Sequence, residues 1–277
     1  MEPFGTRLRQ AMDTRGQLCV GIDPHASLLA GWGLDDTPSG LERFAMTVVE
    51  SLGEHVAVLK PQSAFFERHG SAGIAVLEKA VRAARGAGAL VLLDAKRGDI
   101  GSTMQGYAEA YLDQSSPMAV DAMTVSPYHG FESLRPALDT AATHGSGLFV
   151  LALTSNPEGP QVQHARAPTG TVAGEMLAAI AQENAGAAPL GSVGAVVGAN
   201  LTGCDEDLAV NGPLLAPGFG AQGGGPDDIR RIFAAALPNV LASTSREVLS
   251  AGPDASGLRG AAERSRGGVA TAVGSRS

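Results

Sequence analysis

GALVLLDAKRGDIGSTMQGYAEAYL, residues 88–112, holds an apolar run, a charged turn and a helical pattern in succession. The run Ala89 to Leu93 predicts a buried strand that ends in Asp94, Ala95 and Lys96. Arg97 and Gly98 turn the chain to Asp99, after which Met104, Tyr107, Ala108, Tyr111 and Leu112 recur at helical spacing. Residues two apart on a strand point to one face, so Asp94 and Lys96 project together from its carboxyl end. Asp99 follows just beyond. Two carboxylates and an ammonium crowded at the end of an apolar strand fit a structural ion-pair cluster or a catalytic site.

The same pattern repeats along the chain. Leu18 to Ile22 runs into Asp23, residues 56–59 into Lys60-Pro61, and residues 118–125 into Ser126-Pro127. Residues 148–153 run into Thr154-Ser155-Asn156-Pro157, residues 193–197 towards Asn200, Leu214-Leu215 into Ala216-Pro217, and residues 240–242 into a segment ending at Arg246. Helical periods lie between these runs. Leu41, Phe44, Ala45, Val48, Val49 and Leu52 make one, behind Ser39-x-x-Glu42, which reads as a capping box. Ile229, Ile232, Phe233 and Leu237 make another, behind Pro226. A short amphipathic helix over residues 4–12 precedes the first strand.

Eight short, continuous apolar runs alternating with helices predict an α/β fold, a single-domain (β/α)₈ TIM barrel over residues 1–251. An open doubly wound sheet is the competing arrangement. In a barrel, Asp23, Lys60, Asp94, Lys96, Ser155 and Arg246 all fall at or just after strand carboxyl ends, where such folds keep their sites. Residues 157–171 read as a long surface loop. Residues 252–277, rich in Gly, Ala, Ser and Arg, read as a mobile or loosely packed C-terminal tail.

Composition narrows the function. The chain has 277 residues, of which 44% are hydrophobic, and a formal charge of −8. Its scattered Lys and Arg argue against a nucleic-acid surface. No apolar run reaches membrane-spanning length and the first residues lack a signal-peptide core, so a cytoplasmic location is expected. Cys19 and Cys204 read as buried thiols, and the six histidines show no metal-binding spacing.

Gly218-Phe219-Gly220-Ala221-Gln222-Gly223 spells GxGxxG, but no acid ends the following strand to hold a ribose, as a dinucleotide site requires. Backbone N–H groups of such a loop can instead surround one phosphate, and a plain flexible loop is the bland alternative. The ends of the seventh and eighth strands are where barrels often hold phosphate, so Gln222 and Arg246 are candidates to grip a monophosphate from two sides. Lys60, beside Asp94 in a barrel, extends the charges to Asp23-Lys60-Asp94-Lys96. Ser155 offers a hydroxyl to an amide-like base edge, or caps a turn.

The stretch Asp94-x-Lys96-x-x-Asp99-Ile100-x-x-Thr103 resembles the central motif of the orotidine 5′-phosphate decarboxylase family, without a gap. The resemblance covers most of residues 16–250 and includes Gly21-Ile22-Asp23, Leu59-Lys60-Pro61, Leu153 to Pro157, Pro217 to Gly223 and the late Arg246. The Lys60-Pro61-Gln62 segment resembles the longer bacterial branch. The resemblance implies conversion of orotidine 5′-monophosphate to UMP and CO₂, with no cofactor or metal. Lys96 would stabilise and protonate a C6 carbanion and Asp94 would lie by the departing carboxylate. Asp23 and Lys60 would bind the ribose, Ser155 the pyrimidine, and Gln222 and Arg246 the phosphate. Asp99, Ile100 and Thr103 would reach into a partner subunit's site, which implies a homodimer. Mg²⁺-dependent sugar-phosphate decarboxylases and aldolases of the same superfamily share Asp-x-Lys-x-x-Asp and are the alternative. They typically carry an acid where this chain has Lys60.

Overall fold

Strands made almost wholly of Val, Leu, Ile and Ala must be covered on both faces, and a barrel wrapped in helices does this. The computed structural model describes residues 1–220 and 223–274. Its strands β1 (Leu18–Ile22), β2 (Val58–Pro61), β3 (Leu90–Arg97) and β4 (Ala122–Val125) continue through β5 (Gly147–Leu153), β6 (Val193–Val197), β7 (Leu214–Pro217) and β8 (Val240–Thr244). All pair in parallel around a closed ring, with β1 bonded to both β2 and β8. Leu18 lies opposite Ala242 and Val20 opposite Thr244, so the sheet has no free edge and the open doubly wound arrangement is excluded.

Alternation along each strand divides the core. Leu90 and Leu92 of β3 join Cys19, Phe149, Leu215 and Leu241 inside the ring, whereas Val91 and Leu93 join the shell between strands and helices. The helix Phe4–Arg15 belongs to the inner group through Phe4, Leu8 and Met12. Phe4 meets the edge of Phe149 with ring centroids 6.0 Å apart, and a Cβ at Gly147 would run into the Phe4 ring. Arg7 bonds the buried Asp121 at 2.5 Å, and the Gly5 N–H donates to Ser192 Oγ at 3.0 Å. This first helix plugs the amino-terminal mouth of the barrel and leaves the carboxyl-terminal mouth for chemistry.

Several local expectations are corrected. The helix Pro38–Leu52 starts two residues before Ser39-x-x-Glu42 would allow, because Thr37 is its cap, accepting the Gly40 N–H at 3.2 Å. Residues 157–171 are not wholly irregular: they hold the short helix Pro160–Gln163 and an antiparallel pairing of Arg166–Ala167 with Gly170–Thr171. The largest correction concerns residues 252–277. Ala255–Val273 is a continuous helix capped by Asp254, whose Oδ2 accepts the Gly257 N–H at 2.9 Å. Leu258, Ala261, Ala262, Ser265, Val269 and Ala272 are buried against the helices Pro38–Leu52 and Pro226–Phe233. Small side chains carry this stripe, so the period is weak in hydrophobicity yet lets the helices approach closely. Among the described residues no helix is long and apolar enough to cross a membrane.

Leu258 is fully buried. Leu258→Ala should therefore lower unfolding stability by about 2–5 kcal/mol. Chemical denaturation reads this directly, and an unchanged midpoint would mean that the last helix adds nothing to the folded barrel.

Candidate active site

The inner rows that begin apolar at the plugged end become polar two residues later at the open end. On β3 the inward row runs Leu90, Leu92 and then Asp94, on β2 Val58 and then Lys60, and on β4 Ala122 and then Thr124. These polar residues converge on the Asp94 carboxylate. Its Oδ2 accepts from Lys60 Nζ at 3.1 Å and Gln62 Nε2 at 3.0 Å. Its Oδ1 accepts from Lys96 Nζ at 2.6 Å and Thr124 Oγ1 at 2.9 Å.

Burial raises the Asp94 carboxyl, but the Lys60 and Lys96 ammonium groups and their hydrogen bonds outweigh it and hold its pKa well below the usual carboxylate range. Burial likewise lowers Lys60, yet the Asp23 and Asp94 carboxylates more than offset this and leave it above the usual lysine range. Asp23 acts on Lys60 through space rather than by a hydrogen bond. Asp23 Oδ1 is buried and has no hydrogen-bond partner among the described residues. A buried acceptor in that state is costly unless a ligand donor reaches it.

The two lysines differ in access. The Lys60 side chain is 7% exposed and enclosed, whereas that of Lys96 is 46% exposed. Lys96 faces a cavity of about 260 Å³ that it lines with Asp94, Thr124, Leu151, Ser155 and Val196. A second hollow on the other side of the pair is lined by Asp23, His25, Gln62 and Phe65. The carboxylate–lysine pair thus stands between two recesses, one with an apolar wall and one with an acceptor to spare.

Gly218 to Gly220 and Arg246 lie just beyond the carboxyl ends of β7 and β8. Arg246 is exposed at the first position of the helix Arg246–Leu249, two residues after β8. Gly218, Gly220 and Gly223 adopt φ of +96°, +81° and +96°, values that disfavour any side chain. A Cβ at Gly220 would also strike the Glu247 carboxylate. Gln222 lies outside the described residues. Asp99, Ile100 and Thr103 line neither recess: Asp99 accepts from the Ile100 N–H at 2.8 Å, while Ile100 is 60% exposed and Thr103 is exposed.

Cys19 sits inside the barrel, where burial pushes its thiol up to about 12, so it is no nucleophile. Burial also raises the Cys204 thiol. Among the described residues no group of three or more His, Cys, Asp or Glu is placed to hold a metal ion.

Gln62, Thr124 and the Arg97–Glu67 pair were not singled out from sequence. Gln62 was findable, being two residues beyond Lys60 on the same face. Thr124 was not, since a β-branched residue in a strand is ordinary. Arg97 bonds Glu67, which also accepts from Ser63 Oγ at 2.5 Å, and lies over the Tyr107 and Tyr111 rings at 5.5 and 6.0 Å. The pair ties the end of β3 to the helix Ser63–Glu67, and the ring contacts tie it to the helix Gly101–Tyr111.

Residues 16–260 match the model of the family described as Orotidine 5′-phosphate decarboxylase / HUMPS. A Streptomyces coelicolor protein named orotidine 5′-phosphate decarboxylase is 63% identical over 275 residues, 99% of this chain and 99% of its own length. One of the same name from Salinispora arenicola is 64% identical over 266 residues, 95% of this chain and 96% of its own. A Streptomyces avermitilis crystal structure, described as a candidate orotidine 5′-phosphate decarboxylase, superposes with a TM-score of 0.96 at 64% identity, covering 99% of this chain and 97% of that one. The Leishmania donovani OMP decarboxylase superposes with a TM-score of 0.77 at 27% identity, covering 98% of this chain and 99% of that one. By full-length similarity in sequence and in fold, the chain belongs to the orotidine 5′-phosphate decarboxylase / HUMPS family.

Proposed function

We propose that the chain decarboxylates orotidine 5′-monophosphate to UMP and CO₂ in the cytoplasm, as a homodimer with shared sites. The observation that carries this is the Asp94 carboxylate held ionised between Lys60 and Lys96, with only Lys96 open to a cavity. The bond from C6 to the carboxyl carbon breaks, CO₂ leaves, and the electron pair stays on C6. That anion gains little from resonance, so catalysis needs a charge that interacts more strongly with the transition state than with the substrate. Lys96 supplies this charge and then transfers a proton from Nζ to C6, giving UMP. Asp94 holds Lys96 in place by a 2.6 Å hydrogen bond. It also presents negative charge beside the departing carboxylate.

The other roles follow the layout of the face. The unpartnered Asp23 oxygen suits a ribose hydroxyl, with Lys60 beside it. Ser155, on the wall of the 260 Å³ cavity, suits the pyrimidine edge. The positive-φ glycines, Gln222 and Arg246 are assigned to the phosphate. Remote phosphate binding then supplies energy to seat the base against Lys96. The Mg²⁺-dependent alternative would need an acid at position 60, and a buried lysine there favours a metal-free reaction.

Loss of orotidine 5′-monophosphate absorbance should proceed equally with and without EDTA. Activity abolished by the chelator and restored by Mg²⁺ would move the assignment to the sugar-phosphate enzymes. Arg246→Ala should weaken UMP binding by about 1.5–3 kcal/mol, the worth of hydrogen bonds to a charged group. Binding of uridine, which lacks the phosphate, should change little; equal losses for both ligands would remove Arg246 from the phosphate site.

A shared site has its own signature. Asp99, Ile100 and Thr103 line neither of their own chain's recesses, and Ile100 is an exposed apolar side chain, as a residue completing a partner's site would be. Lys96→Ala and Asp99→Ala homodimers should each be severely impaired. Refolding an equal mixture makes about half the dimers mixed, and each mixed dimer holds one intact site. Activity should then return to about a quarter of the wild-type level per site. Verified subunit exchange with no return of activity would place Asp99 in its own chain's site.

A further inference from the structure

The register between β3 and β4 breaks where the chemistry begins. Leu93 lies opposite Met123 and Arg97 opposite Val125, so Asp94, Ala95 and Lys96 together face the single residue Thr124. Two extra residues on β3 cannot continue the ladder, and their backbone groups need other partners. Lys96 also adopts φ +48°, a left-handed conformation that a non-glycine residue avoids unless its surroundings impose it.

The Thr124 hydroxyl meets all of these needs. Its oxygen accepts from the Ala95 N–H at 3.0 Å and the Lys96 N–H at 2.9 Å, and its proton goes to Asp94 Oδ1 at 2.9 Å. One donor and two acceptor sites are all that a hydroxyl has, and here all are in use. Thr124 is 1% exposed, so water has little access to replace these bonds. The hydroxyl therefore grips the Lys96 backbone and the Lys96 counter-ion at once, setting where the ammonium stands relative to the cavity.

We propose that Thr124 is a positioning residue for decarboxylation, holding the bulged Asp94–Lys96 segment so that the Lys96 ammonium is presented to the substrate. This rests on Lys96 being the proton donor, and the test separates the two claims. Thr124→Val keeps shape and removes the hydroxyl. It should lower kcat by about 10- to 100-fold, the scale of a displacement near 1 Å at the reacting group. KM and UMP affinity should stay within about twofold, because the ribose and phosphate contacts do not pass through Thr124. Thr124→Ser restores the hydroxyl and should recover nearly all of kcat.

A Thr124→Val enzyme with wild-type kcat overturns the proposal, as does a Thr124→Ser enzyme equally impaired. If the Val variant does not fold, Thr124→Ala is compared with Thr124→Ser, since those two differ in the hydroxyl alone. An Ala variant that fails to fold while Ser folds overturns positioning in favour of a purely structural role. Lys96→Ala is assayed alongside. Full activity in that variant sinks the role given to Lys96, whereas an inactive Lys96→Ala beside a fully active Thr124→Val sinks the role given to Thr124 alone.

Discussion

Four hydrogen bonds to one carboxylate organise the open end of this barrel. Asp94 is where β2, β3 and β4 meet in side-chain chemistry, through Lys60, Gln62, Lys96 and Thr124. A buried ion pair of this kind is a poor way to stabilise a fold, since apolar residues of similar volume often do as well or better. Its presence in a barrel otherwise lined by Leu, Val and Phe fits the reactive role proposed for it. The pH dependence follows the same logic. The depressed Asp94 pKa contributes stability that is present above the ordinary carboxylate value of about 3.9 and is lost as pH falls through its lower folded value. The raised Lys60 pKa contributes stability that is present below about 10.4 and is lost as pH rises through its higher folded value. Across the neutral range these two groups keep their charges, and the site holds a constant field at Lys96.

Much of this was legible in the sequence, though not always for the reason given. The barrel followed from apolar runs that each end in a polar or charged segment. Asp94 and Lys96 do meet, as a spacing of two suggests. Yet regular alternation does not bring them together, because β3 is bulged there and Lys96 is left-handed. The right pairing came from a rule that the local backbone breaks. Thr124 escaped notice because its hydroxyl matters only once the bulge strips two N–H groups of their ladder partners. The last helix escaped because its buried stripe is half alanine and its other face is rich in glycine and arginine, a mixture that resembles a linker. Ile100 and Thr103 could be read only through the resemblance, since an apolar and a hydroxyl residue beyond a strand end carry no chemical signal of their own.

The two ends of the barrel divide the work. The plugged end is apolar and aromatic and is held by the Arg7–Asp121 pair, away from the charged strand ends. The open end is polar and irregular, with bulged and positive-φ residues.

That plug also constrains the order of assembly. The helix Phe4–Arg15 is made before its seat, which is built from Asp121, Gly147, Phe149 and Ser192, all later in the chain. Its apolar face of Phe4, Leu8 and Met12 therefore lacks its full native cover until Ser192 has been made, although Cys19, Val58 and Leu90 of the same cluster come earlier. At about 5–20 residues per second, that wait lasts on the order of ten seconds or more. The contact that seats this helix joins residues 187 apart in sequence, Gly5 and Ser192. Loops of that span close late. This helix thus docks long after it is synthesised, and for that interval its apolar face is open to association with other chains or to chaperones.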